Sequence, residues 1–126
     1  MLSGIPRPFI ARSLRAAALT ALVACTGMPA QAAPQWCTGT LSQLWVDNAG
    51  NVFVRPSWLG DFVMFCNVNQ STGVVSATTC MNWVSLMRSA VQRAAQTTTY
   101  YADAPACNAM PNYSSAPVPG YFLLAN

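Results

Sequence analysis

From Thr38 onward the chain alternates short apolar runs with turn-forming residues. Thr38 to Asp47 (TGTLSQLWVD) mixes Thr, Leu, Trp and Val in the way that predicts a strand. Asn48-Ala49-Gly50-Asn51 follows as a turn, with Gly50 suited to a positive φ. Val52 to Arg55 predicts the returning strand, which Pro56 ends because it has no N–H to donate. After the connection Ser57-Trp58-Leu59-Gly60, Asp61 to Val68 (DFVMFCNV) predicts a third strand. Phe62, Met64, Cys66 and Val68 alternate with Val63 and Phe65, so both faces are apolar and a central position covered on both sides is expected.

The period then changes. Ser76 is placed to cap a helix from Ala77 to about Gln96, flagged by its Ser N-cap. Cys80, Val84, Met87, Val91 and Ala94 recur at steps of four and three, a single apolar stripe widened by Trp83 and Ala90. Asn82, Ser85, Arg88, Ser89, Gln92 and Arg93 fall on the solvent side. Thr97 to Ala102 (TTTYYA) returns to β-branched and aromatic residues and predicts a fourth strand. Asp103 to Gly120, rich in Pro, Ala, Asn and Ser, reads as a long loop, and Tyr121 to Leu124 as a closing strand. The expected class is α+β: an antiparallel sheet or small OB-like barrel of about five strands, with one helix laying its stripe on one face.

The first 32 residues follow another logic. Arg7, Arg12 and Arg15 precede the apolar run Ala16 to Ala24, and Pro29 stands before Ala30-Gln31-Ala32, an A-x-A cleavage site. The run falls short of the about 20 apolar residues that span a bilayer. Residues 1–32 are therefore expected to be a signal peptide, and residues 33–126 a single exported domain with no membrane span, its Ala33-Pro34-Gln35 lead-in unstructured. A second reading competes. Leu22-Val23-Ala24-Cys25 resembles a lipobox, which would leave the protein lipid-anchored at the cell envelope through Cys25. Secretion, or retention in the periplasm, is the preferred expectation.

Removing the signal removes the formal charge of +3. Arg55, Arg88 and Arg93 then balance Asp47, Asp61 and Asp103, and no Lys, Glu or His remains. Three scattered arginines do not make a phosphate-binding surface, so nucleic acid is not an expected partner. Four cysteines in a short exported chain, Cys37, Cys66, Cys80 and Cys107, predict two disulfides with three possible pairings. Cys66 and Cys80 flank one turn and a short linker, an easy closure that leaves Cys37 for Cys107. Without His or C-x-x-C spacing a metal site is not expected, and no cofactor is implied.

The same scarcity argues against catalysis. General acid–base chemistry draws on His, Glu, Lys or a tuned Asp, and the three Asp sit at ordinary turn and strand-end positions. The serines have no base to activate them, so the protein is not expected to be an enzyme. The aromatic residues point elsewhere. Trp83 belongs to the helix stripe, and Trp45 suits either the core or an exposed sheet face. Trp58, beside Gly60 and Asp61, suits stacking on a sugar, although folding back as a lid on the core is the simpler reading. Of Tyr100 and Tyr101, alternation buries one and exposes the other. Trp58, Asp61, Asn69 and Tyr101 are the candidate ligand-binding residues. Asn69-Gln70-Ser71 and Asn112-Tyr113-Ser114 would be glycan acceptors in a eukaryotic secreted protein; in a bacterial product, the source that Arg without Lys and abundant Ala lead one to expect, they are chance matches.

Trp36-Cys37-Thr38-Gly39, Asn48-Ala49-Gly50-Asn51-Val52, Cys66-Asn67, Cys80 opening a helix with Trp83, Tyr100-Tyr101 and Cys107 form an ordered pattern. It resembles a group of small exported bacterial proteins of unassigned function over nearly all of residues 33–126. That resemblance implies no particular activity. The succession of three strands, one helix and two strands in a disulfide-bonded exported domain also resembles, in architecture, the pentameric receptor-binding subunits of bacterial toxins. Those are OB-like barrels that bind cell-surface sugars. The long Pro-rich loop departs from them, and no binding residue carries over. The expected function is a non-catalytic binding module for a glycan or a protein surface, as a possible homo-oligomer. The alternative is a cell-envelope lipoprotein or structural interaction protein.

Overall fold

The computed structural model describes residues 32–125. The expected signal peptide, most of its expected cleavage site and Cys25 lie outside the described residues. The elements are β1 (Ala33–Val46), β2 (Asn51–Pro56), β3 (Val63–Asn67), α1 (Ala77–Arg93), β4 (Gln96–Ala104) and β5 (Tyr121–Leu124), with a 3-10 turn at Cys107–Ala109. The strands form one antiparallel sheet in the order β3-β2-β1-β4-β5, curled into a half-barrel. The class is α+β.

β1 is the hub. Its first half, Ala33 to Thr40, pairs with β4, and its second half, Leu41 to Val46, pairs with β2. The register jumps from Leu41↔Pro56 to Gln43↔Arg55, so Ser42 is the extra residue of a β-bulge. A bulge bends its strand and increases the twist, which is how one strand serves two differently facing halves of the sheet. The Asn48–Asn51 turn forms as its residues require: Gly50 has φ 88°, and a Cβ there would meet the Asn69 side chain at 2.5 Å.

α1 begins at Ser76, whose hydroxyl accepts from the Thr79 N–H at 3.1 Å. It ends at Arg93, short of Gln96, because Ala94 turns left-handed (φ 48°) and Ala95 donates back to the Ala90 carbonyl. The helix buries Cys80, Trp83, Met87 and Ala90 against Leu41, Val52, Val54, Val63, Phe65 and Phe122. Phe65 on β3 and Phe122 on β5 meet edge-on across this core, ring centroids 5.9 Å apart, although the two strands lie at opposite ends of the sheet order. A second, smaller cluster holds Cys37, Tyr101, Ala104 and Met110. Both disulfides pair as the spacing suggests. Cys66–Cys80 ties β3 to the first helical turn, and Cys37–Cys107 ties β1 to the long loop.

Two further expectations are corrected. β3 is an edge strand, not a central one. Its apolar faces have different covers: Val63, Phe65 and Cys66 enter the core, helped by a second bulge at Phe65, while the long loop after β4 covers the outer edge. There the Met64 N–H donates to the Tyr113 carbonyl (3.1 Å) and the Tyr113 N–H to the Phe62 carbonyl (2.7 Å). Covering an edge in this way removes a template for unwanted strand pairing. The lead-in Ala33-Pro34-Gln35 is also structured. Pairing jumps from Ala33↔Ala104 to Gln35↔Tyr101, and Pro34 sits in the irregularity, where no ladder hydrogen bond is asked of it.

Candidate functional site

The residues singled out from the sequence do not converge. Trp58 is half-buried and packs against both core clusters, its ring edge-on to Tyr101 with centroids 6.3 Å apart. It is a lid on the core. Tyr101 is 0% exposed and so has no surface to offer a ligand, while its neighbour Tyr100 points to the outer face. Burial pushes the Tyr101 phenol well above its ordinary range. Its hydroxyl, Trp58 Nε1 and Thr99 Oγ1 are buried without a partner among the protein atoms. Asn69 braces the Gly50 turn, its amide donating to the Ala49 carbonyl at 3.2 Å. The buried Asn67 completes that brace: it donates to Ala49 O and Asn51 Oδ1 and accepts from the Asn69 and Gln70 N–H groups. Asp61 lies before the start of the five-residue strand β3 and Asn69 beyond its end, so the two do not share a site.

Asp61 does belong to a more promising arrangement. On the outer face, away from the helix, Trp45 of β1 stacks on Phe53 of β2 (centroids 4.3 Å, interplanar angle 15°) and meets Phe62 edge-on at 5.9 Å. Tyr113, from the loop covering β3, lies 6.0 Å from Phe53 and 6.1 Å from Phe62. Phe53 and Phe62 therefore form a floor, with Trp45 (38% exposed) on one side and Tyr113 (47% exposed) on the other. The bulges set this up, because cross-strand pairing of Trp45 with Phe53 depends on the shifted register after Ser42. Beside the floor, Asp61 Oδ1 accepts from the Phe62 N–H (2.7 Å) and Oδ2 from Asn112 Nδ2 (2.6 Å). Each carboxylate oxygen keeps lone-pair capacity, and the Asn112 carbonyl oxygen is a further acceptor. Arg55 is fixed at the same end by donation from Nε to the Gly60 carbonyl at 2.9 Å.

Tyr113 is held against its own preference, with φ 53°. A bulky residue there is an outlier costing about 1–3 kcal/mol, of the kind that persists where the surroundings over-determine it. The hydrogen bonds to Phe62 and Met64 provide that constraint, and the result is an aromatic ring presented to solvent. The sequence offered one sign of this, a single aromatic in a loop rich in Pro, Ala, Asn and Ser.

A second aromatic tier crosses the other half of the outer face. Trp36, Tyr100 and Tyr121 are in register on β1, β4 and β5. Tyr100 and Tyr121 stack at 4.9 Å, and Trp36 Nε1 donates to the Tyr121 hydroxyl at 2.7 Å. Among the described residues no three His, Cys, Asp or Glu side chains cluster as metal ligands, and no helix is long and apolar enough to cross a membrane. The three aspartates lie at separate corners: Asp47 in the β1–β2 turn, Asp61 before β3, Asp103 near the end of β4. Comparison with protein-family models, curated proteins and solved structures finds no match.

Proposed function

We propose that the protein is an exported, non-catalytic binding module that takes a glycan on the Trp45–Phe53–Phe62–Tyr113 face. The observation that carries this reading is the strained, outward presentation of Tyr113 over an aromatic floor beside the Asp61–Asn112 pair. Sugar rings bury their C–H faces against aromatic rings and direct hydroxyls to carboxylate and amide groups at the rim. Two disulfides support residence in an oxidising compartment, outside the cell or in the periplasm. Glycan-array binding by the purified protein, repeated with Trp45→Ala and Tyr113→Ala, tests the assignment. Loss of the same signals in both variants is expected; undiminished binding by both would overturn it.

A protein partner is the second reading, favoured by the other tier. Trp36 (59% exposed), Tyr121 (42%) and Leu123 (53%) cluster on and beside the edge strand β5. Exposed Trp and Tyr are the residues that dominate protein interfaces. Loss of cell-envelope association in Trp36→Ala, with glycan binding absent throughout, would select this reading. Anchoring through Cys25 is a matter for intact mass, which distinguishes a diacylated or triacylated Cys25 from a start at Ala33.

A further inference from the structure

On the inner side of the β1 terminus, opposite the aromatic floor, lies a groove of about 280 Å³ lined by Leu44, Trp45, Val46, Val84, Arg88, Val91 and Gln92. Leu44, Val84 and Val91 are half-buried and pack on the core, while Val46 is 44% exposed. Val84, Arg88 and Val91 follow one another at steps of four and three on α1, so a guanidinium is set within an apolar stripe. The two side chains able to donate strongly into the groove are Arg88 and Gln92, one helical turn apart.

No carboxylate of the described residues answers Arg88. Asp47, next to Val46 in sequence, is engaged in its own turn: Oδ1 accepts from the Ala49 and Asn51 N–H groups and Oδ2 from Asn51 Nδ2. Asp61 is held by Phe62 and Asn112, and Asp103 lies near the far end of β4, where Ala104 pairs with Ala33 at the opposite end of β1. The groove thus combines apolar walls with an uncompensated positive charge. A guanidinium binds a carboxylate through two parallel hydrogen bonds, and apolar walls add affinity for whatever hydrocarbon that carboxylate carries.

We propose that this groove binds a small amphiphilic carboxylate, an aliphatic acid whose headgroup pairs with Arg88 and whose chain lies against Leu44, Val46, Val84 and Val91. The volume sits just below the roughly 300–1,000 Å³ usual for small-molecule sites, which restricts the ligand to a short chain. This site shares only Trp45 with the outer aromatic face, and its headgroup contact, Arg88, takes no part in that face.

Octanoate and octanol, matched in chain and differing in charge, are the probes. Each is titrated into the isotopically labelled protein while backbone amide shifts are followed. Octanoate is expected to move the amides of residues 44–46 and 84–92, with octanol weaker by about tenfold or more. Arg88→Gln should weaken octanoate to the level of octanol and leave octanol unchanged; because Arg88 is exposed, the variant should melt with the parent. Equal affinity for the two probes, an unaffected Arg88→Gln, shifts confined to other residues, or no shifts into the millimolar range would each overturn the proposal.

Discussion

Replacing Tyr113 by alanine and, separately, by glycine divides the ring's contribution from the backbone's. The side chain is 47% exposed, so about half of an aromatic residue's burial of roughly 200 Å² is realised against Phe53 and Phe62. At about 25 cal/mol per Å², losing it costs about 2.5 kcal/mol in either variant. The two differ in the backbone. At φ 53° alanine keeps the left-handed penalty of about 1–2 kcal/mol, whereas glycine does not pay it. Glycine's greater freedom in the unfolded chain returns part of that difference, about 0.4–1 kcal/mol. Tyr113→Gly is therefore expected to be the more stable of the pair by about 0.5–1 kcal/mol, the reverse of the usual order. Urea unfolding monitored by tryptophan fluorescence resolves such a difference, and a shift of several degrees in Tm accompanies it in a domain of this size. An alanine variant as stable as the glycine variant, or more so, would refute the claim that this residue is held in a strained conformation. Both variants should lose the glycan signal, because the ring itself is gone.

Trp58→Ala should lower stability by about 2 kcal/mol while leaving glycan binding intact, since the ring is a half-buried lid on the core; abolished binding in a folded variant would return Trp58 to the site. The loop-closure relation gives about 3 kcal/mol for Cys66–Cys80 and about 4.4 kcal/mol for Cys37–Cys107 from separations of 14 and 70 residues. Thermal melts of the paired Cys→Ala variants should show large losses for both, and an unchanged Tm for either would remove its bridge from the stability argument. Asp47 is held below the ordinary value of 3.8, first by Asn51's side-chain amide and then by the backbone N–H groups of Asn51 and Ala49, against the effect of burial. Its stabilisation is complete above that value and is lost as pH falls through the lower folded-state pKa. An NMR titration should place the Asp47 midpoint below 3.8, and a midpoint at or above it would contradict the turn geometry.

Local chemistry was legible in the sequence. Ser76 capped its helix, Gly50 took its positive φ, and Tyr121–Leu124 formed the closing strand as written. These outcomes depend on residues within a few positions of one another. The disulfide pairing was legible for the same reason, since closing the short Cys66–Cys80 loop leaves one partner for Cys37. Where the expected placement of a strand failed, the deciding contact was distant. β3 reads as a central strand because apolar residues on both faces say that something covers them; they do not say whether the cover is a strand or a loop 50 residues later.

The candidate site followed the same division. Trp45 was recognisable as either core or surface, and only the register set by the bulge at Ser42 placed it outward on Phe53. Asp61 was in view, but its partner Asn112 and the ring of Tyr113 come from the loop after β4. Sequence alone thus determined the α+β composition, the caps and turns, the disulfides and the scarcity of acid–base groups. Tertiary structure decided which aromatic rings face solvent and which side chains share a surface. A bulge shifts every later side chain by one position, and a covering loop joins residues far apart in the chain; neither effect is encoded in the local alternation of apolar and polar residues.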